Sequence, residues 1–179
     1  CGVSHGIGVG KGMDAIEMAL LGLSIGAGDE VITTPMTAFA TILAIIRCGA
    51  KPVLADIDSE TALLSAESAK RCLSTKTKAV ILVHLYGQVR QMDEWVIFCE
   101  ENNIMLIEDC AQAHQATWHG KVAGCFGQAG AYSFYPTKNL GAVGDAGMLV
   151  TGNSALAKRT RQLRNYGQSE RYLHPVIGM

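Results

Sequence analysis

The chain has 179 residues, 49% of them hydrophobic and 17% charged, with a net charge of -1 at pH 7; this is the balance of a folded domain with a sizeable core and excludes a disordered or fibrous chain. No long basic run offers a footprint for nucleic acid or an anionic membrane surface, so small neutral or anionic ligands are the expected partners. The longest apolar stretches, Ala15 to Ile25 and Phe39 to Ile46, are too short or too interrupted to span a bilayer and follow no basic segment, which gives a cytoplasmic reading.

In chain order, the first pattern is a glycine-rich stretch, Gly6 to Gly12, leading into a helix. Along Gly12 to Leu23 the apolar residues Ile16, Ala19, Leu20 and Leu23 recur at i, i+3, i+4 and i+7, and Gly26-Ala27-Gly28 ends the run. A strand is predicted at Glu30 to Thr33, a helix at Ala38 to Cys48 stopped by Gly49, and a strand at Pro52 to Ala55. The alternation continues with a helix at Ala66 to Leu73, a strand at Ala79 to Val83, a helix at Met92 to Asn102 and a strand at Ile104 to Ile107. Beyond Gly120 come shorter strands, Gly130 to Tyr135 and Gly147 to Thr151, and a basic helix from Ala155 to about Asn165. Alternating helices and almost wholly apolar strands predict an α/β fold, a mostly parallel sheet sandwiched by helices, in a single domain over 1–179.

In such sheets ligands bind at the carboxyl ends of the strands, and three places there carry chemistry. Asp109 follows the strand ending at Ile107; its carboxylate suits a cationic ring nitrogen or a metal, while the plainer reading is a cap on the next turn. Lys138 follows Tyr132 to Pro136 in a turn of small and polar residues; a lysine there forms a Schiff base if partial burial neutralises its amine, and is otherwise only solvated. The Gly6 to Gly12 stretch suits an anion at a helix start. It is neither a GxGxxG fingerprint nor a P-loop, since Lys11 precedes Gly12 rather than Ser or Thr. An anion cradle, a carboxylate and a lysine together are the parts that hold pyridoxal phosphate.

Glu108-Asp109-Cys110-Ala111-Gln112-Ala113-His114, followed by Ser133-Phe134-Tyr135-Pro136-Thr137-Lys138-Asn139-Leu140-Gly141, resembles the DegT/DnrJ/EryC1/StrS aminotransferases. Further similar segments are Gly28 to Ile32, Thr37 to Thr41, Gly49 to Val53, Val83 to Gln88, Gly144 to Gly147 and Leu163 to Gly167, in the same order. The resemblance implies the large domain of the fold type I enzymes dependent on pyridoxal 5'-phosphate. It implies that Lys138 carries the cofactor as a Schiff base and moves the proton, and that Asp109 pairs with the pyridine nitrogen. Gln112 would face the ring hydroxyl, and Ser133 with the backbone amides of Gly12 and Met13 would bind the phosphate. The implied reaction moves an amino group, with glutamate as donor, to a nucleotide-linked keto sugar in a homodimer.

Departures from the family pattern are Lys11 before Gly12, Ala38 at the ring-stacking position, His114-Gln115-Ala116 for HGA, and Gly144-Asp145-Ala146-Gly147 for GDGG. Without an initiating Met and ending at Met179, the chain reads as a large-domain piece lacking the C-terminal small domain. Competing readings are a cofactor-poor, non-catalytic remnant, a pyridoxal-phosphate sugar dehydratase, disfavoured by a lysine where those enzymes carry histidine, and a nicotinamide dehydrogenase, disfavoured by the failed fingerprint. Six cysteines without a CxxC pair argue against a disulfide framework or zinc site, and no metal is expected. Trp95 and Phe98 are read as core, His84 and His114 as structural at least as readily as chemical, and Lys158, Arg159, Arg161 and Arg164 as a solvated face.

Overall fold

The computed structural model describes residues 2–179, so Cys1 lies outside the described residues. In chain order the elements are β1 (His5–Val9), α1 (Gly12–Gly22), β2 (Glu30–Thr33), α2 (Phe39–Arg47), β3 (Lys51–Leu54), α3 (Ala66–Arg71) and β4 (Thr77–Val83). After a short 3-10 turn at Leu85–Gly87 come α4 (Met92–Glu101), β5 (Met105–Asp109), a small hairpin of β6 (Thr117–Trp118) and β7 (Lys121–Val122), β8 (Ala129–Ser133), β9 (Gly147–Thr151) and α5 (Ser154–Leu163).

Seven strands form one sheet in the order β1-β9-β8-β5-β4-β2-β3. Strands β8, β5, β4, β2 and β3 run parallel to one another, and β9 runs antiparallel between β8 and β1. Period-two alternation sends successive side chains to opposite faces, and each face has its own core. Val31, Ile81, Ile107, Ala131 and Leu149 pack with α1, α2 and α5, whereas Ile32, Val80, Leu82, Leu106, Tyr132 and Val150 pack with α3 and α4. The expected α/β sandwich is thus realised with helices on both faces. Among the described residues no helix is long and apolar enough to cross a membrane.

Two elements depart from the sequence reading. The Gly6 to Gly10 stretch is not all loop: His5–Val9 is an edge strand paired with β9 in register His5↔Thr151 to Val9↔Gly147. Its glycines hide the strand signal, because glycine weakens a strand and leaves alternate positions without a side chain. The β6–β7 hairpin turns on His119 and Gly120, both left-handed with φ 49° and 80°, as a two-residue hairpin requires. Trp95 and Phe98 are buried and meet edge to face at 5.6 Å, the core pair expected from their helical spacing.

Candidate functional site

The strand register decides which candidate residues can meet. Asp109 pairs with Ala131 across β5 and β8, and Ser133 pairs with Gly147, which in turn pairs with Val9. Asp109 stands two residues beyond Ile107 and Ser133 two beyond Ala131, so both side chains lie on the α1–α2 face at the carboxyl edge of the sheet. Glu108 and Tyr132, one residue earlier in each strand, belong to the opposite face.

The start of α1 lies directly above this edge. A side chain on Gly12 would place its Cβ 2.6 Å from Ser133 Cβ, and one on Gly147 would come 2.4 Å from the Lys11 carbonyl carbon. Glycine at both positions lets the helix terminus descend onto β8 and β9. The N-cap residue, Lys11, makes no side-chain cap bond, so the first-turn N–H groups, including those of Gly12 and Met13, remain donors at the positive end of the helix. Met13 directs its side chain to the core beside α1 and offers only its backbone. Gly147→Ala is expected to push α1 off the sheet and cost about 1–3 kcal/mol, the range for overpacking, read as a lower denaturation midpoint. An unchanged midpoint would show that the terminus moves freely.

Asp109 is 6% exposed. Its Oδ1 accepts from Ala111 N at 3.1 Å, and its Oδ2 accepts from the Thr41 hydroxyl at 2.7 Å. The turn-cap reading is therefore true of one oxygen, while the other is held from a different element. Gln112 is half-buried with Oε1 accepting from Tyr86 N at 2.8 Å, which leaves its Nε2 as the free donor of the amide. Tyr86 adopts a left-handed φ of 56° to make that contact and exposes its ring at the mouth of the sheet.

Lys138 is half-buried in the loop that leaves β8. The loop is closed by Lys138 N to Tyr135 O at 2.8 Å, Ala142 N to Phe134 O at 2.7 Å and Phe134 N to Ala146 O at 2.8 Å. Ser133 Oγ accepts from Tyr135 N at 3.3 Å, tying the same loop to the strand. His114 sits between Tyr132 and Phe134, ring centroids 5.4 and 5.5 Å away, with both ring nitrogens shielded from solvent. Burial pushes its pKa down, and the nearby Lys138 ammonium acts in the same direction. The structure thus brings Asp109, Ser133, Gly12 and Met13 to one face of one edge, and places Lys138 and Gln112 on the loops beside it.

Beneath the site, Glu108 is a structural lock. Its Oε1 accepts from Phe126 N at 2.7 Å and Gly127 N at 2.9 Å, and its Oε2 from Gly124 N at 2.7 Å, with His84 Nε2 at 3.0 Å. His84, Glu108 and Cys110 carry ligand atoms within 4.8 Å of one another, but both Glu108 oxygens are already committed to N–H donors. His84 is accordingly structural. Sequence reasoning missed Thr41 and Tyr86; Thr41 was detectable as a hydroxyl on the otherwise apolar buried stripe Thr41, Ala44 and Ile45 of α2.

Fold and site together are those of an α/β protein whose polar groups converge at the carboxyl ends of parallel strands. The chain belongs to the DegT/DnrJ/EryC1/StrS aminotransferase family, whose sequence pattern matches residues 1–179. It is 47% identical to a pleiotropic regulatory protein of Geobacillus stearothermophilus, over 97% of this chain and 47% of that one. It is 42% identical to a UDP-N-acetyl-3-dehydro-alpha-D-glucosamine 3-aminotransferase of Acidithiobacillus ferrooxidans, over 99% of this chain and 48% of that one. The structure of Streptomyces venezuelae DesV in complex with a ketimine intermediate superposes with a TM-score of 0.97 at 41% identity, covering 100% of this chain and 48% of that one. The chain therefore spans about half the length of the relatives it matches.

Proposed function

We propose that this protein, with pyridoxal 5'-phosphate, transfers an amino group from glutamate to a keto sugar linked to a nucleotide. The observation that carries the reading is Asp109: a nearly buried carboxylate, each oxygen taking one donor, on the same face as Ser133 and the uncapped start of α1. The residues fit the cofactor at each end, a fixed anion toward a cationic ring nitrogen and free N–H donors toward a phosphate. The glycine-only approach of Gly12 to Ser133 keeps those donors open. The sugar-nucleotide substrate named for the Acidithiobacillus relative supports the acceptor class.

When bound, the cofactor supplies an electron sink for the carbon that gains or loses the amine. Lys138 would hold it through the side-chain amine and would serve as the base that carries the proton at Nζ. Asp109 keeps the positive charge on the ring nitrogen by opposing it with a fixed carboxylate. Gln112 would offer Nε2 to the ring hydroxyl, because Tyr86 N–H already holds Oε1. Ser133 Oγ and the amides of Gly12 and Met13 anchor the phosphate. A single large domain, a cytoplasmic location and a homodimeric assembly complete the reading.

The test is an absorbance titration with pyridoxal phosphate, then borohydride reduction and peptide mapping. A visible band that traps on Lys138, and is absent in Lys138→Ala, is expected. An unmodified Lys138 in protein saturated with the cofactor would sink the reading.

A further inference from the structure

Asp109 does not hold its own orientation. Its Oδ2 is contacted by Thr41, 68 residues away in sequence and 0% exposed, at 2.7 Å, and Thr41 Oγ1 lies 2.9 Å from Thr37 Oγ1. An ionised carboxylate only accepts, so the single Thr41 proton is committed to Asp109. Thr37 must then be the donor to Thr41. The result is a directional chain, Thr37 O–H to Thr41 O–H to Asp109 Oδ2, running from the residue before the α2 N-cap through the helix's first turn to the edge of the sheet.

We propose that Thr41, backed by Thr37, is a positioning residue: it fixes the rotation of the Asp109 carboxylate so that the charge faces the ligand on the α1–α2 face. Three features of the structure support this. Ala111 N–H holds Oδ1 from the strand's own continuation, so a second donor from a separate element is what removes the remaining rotational freedom. Thr41 is anchored on both sides, its N–H bonded to Ala38 O and its side chain on the buried stripe of α2. Chained hydroxyls also polarise one another in a low-dielectric interior, so the distal Thr37 strengthens the proximal contact. The inference rests on Asp109 being the partner of the cofactor ring, as proposed above.

Thr41→Val keeps the shape and removes the hydroxyl, Thr41→Ser keeps the hydroxyl and removes a methyl, and Thr37→Val removes only the distal donor. Each is titrated with pyridoxal phosphate, and the circular dichroism of the visible band is recorded as a measure of ring orientation. Thr41→Val is expected to raise the dissociation constant roughly ten-fold or more, as for a lost hydrogen bond to a charged group, and to weaken the dichroic band. Thr41→Ser restores both, and Thr37→Val gives a smaller loss in the same direction. Wild-type affinity and dichroism in Thr41→Val, with Lys138 still trapped by borohydride, would overturn the relay and leave the Lys138 reading standing. Failure of the wild-type protein to form the band would remove both. If Thr41→Val does not fold, Thr37→Val decides: unchanged affinity and dichroism there overturn the relay, and a loss of both supports it.

Discussion

Glu108→Ala is expected to remove about 3–5 kcal/mol of stability, because it leaves several buried donors without their acceptor. The carboxylate is 0% exposed and accepts from three backbone N–H groups, those of Gly124, Phe126 and Gly127, as well as contacting His84. Alanine strands these donors in the interior, and each unmet donor costs about 1–3 kcal/mol. The segment has little room to rearrange: a Cβ on Gly130 would lie 2.4 Å from Gly124 Cα, and one on Gly127 would lie 2.3 Å from the Leu106 carbonyl oxygen. Because small domains carry about 5–15 kcal/mol in total, the loss brings the protein near its folding threshold.

Glu108→Gln separates charge from shape. The amide keeps one acceptor oxygen, enough for Phe126 and Gly127, but turns N–H groups toward the Gly124 N–H. The expected order of urea midpoints is wild type, then Gln, then Ala. A midpoint for the alanine variant within about 1 kcal/mol of wild type would mean that the 124–127 loop finds other partners, since surface-like effects are of that size or less.

This lock also shows where the sequence is informative and where it is silent. The apolar runs Val80 to Val83 and Met105 to Ile107 name their own strands, and the i, i+3, i+4 pattern names α1. Once β5 and β8 are placed, period two alone puts Asp109 and Ser133 on one face and Glu108 on the other. Strand β1 escapes because Gly6 and Gly8 carry no side chains to alternate, and its pairing with β9 joins residues 5 and 151. Contacts that cross the chain escape for the same reason: nothing local to Thr41 announces that its hydroxyl meets Asp109.

The Gln115 departure shows a different limit. The resemblance expects glycine there, and Gln115 has a φ of 62°, in the left-handed region glycine favours. Gln115 thus carries a side chain in a conformation that glycine adopts freely, with a strain on the order of 1–2 kcal/mol borne by the surrounding fold.

On the proposed function, Asp109→Asn is expected to leave the fold almost intact and to lower amino transfer about 10²–10³-fold, the loss that follows removal of one preorganised charge-stabilising group. The two effects separate because the hydroxyl chain can reverse. With asparagine, Oδ1 still accepts from Ala111 N–H, while Nδ2–H donates to Thr41, which then donates to Thr37. Ala111 N–H and the Thr41 hydroxyl both keep a partner, so unfolding of the cofactor-free variant stays within about 1 kcal/mol of wild type. What the variant lacks is the fixed negative charge that the proposed function sets opposite a cationic ring nitrogen, and a neutral amide cannot replace it. Rates of the half-reaction with glutamate, followed by the cofactor's absorbance, set beside urea unfolding of the cofactor-free protein, measure the two quantities independently. A wild-type rate in a folded Asp109→Asn protein would show that the carboxylate serves only to shape the turn after β5. A slow rate with wild-type stability would assign its charge to the reaction.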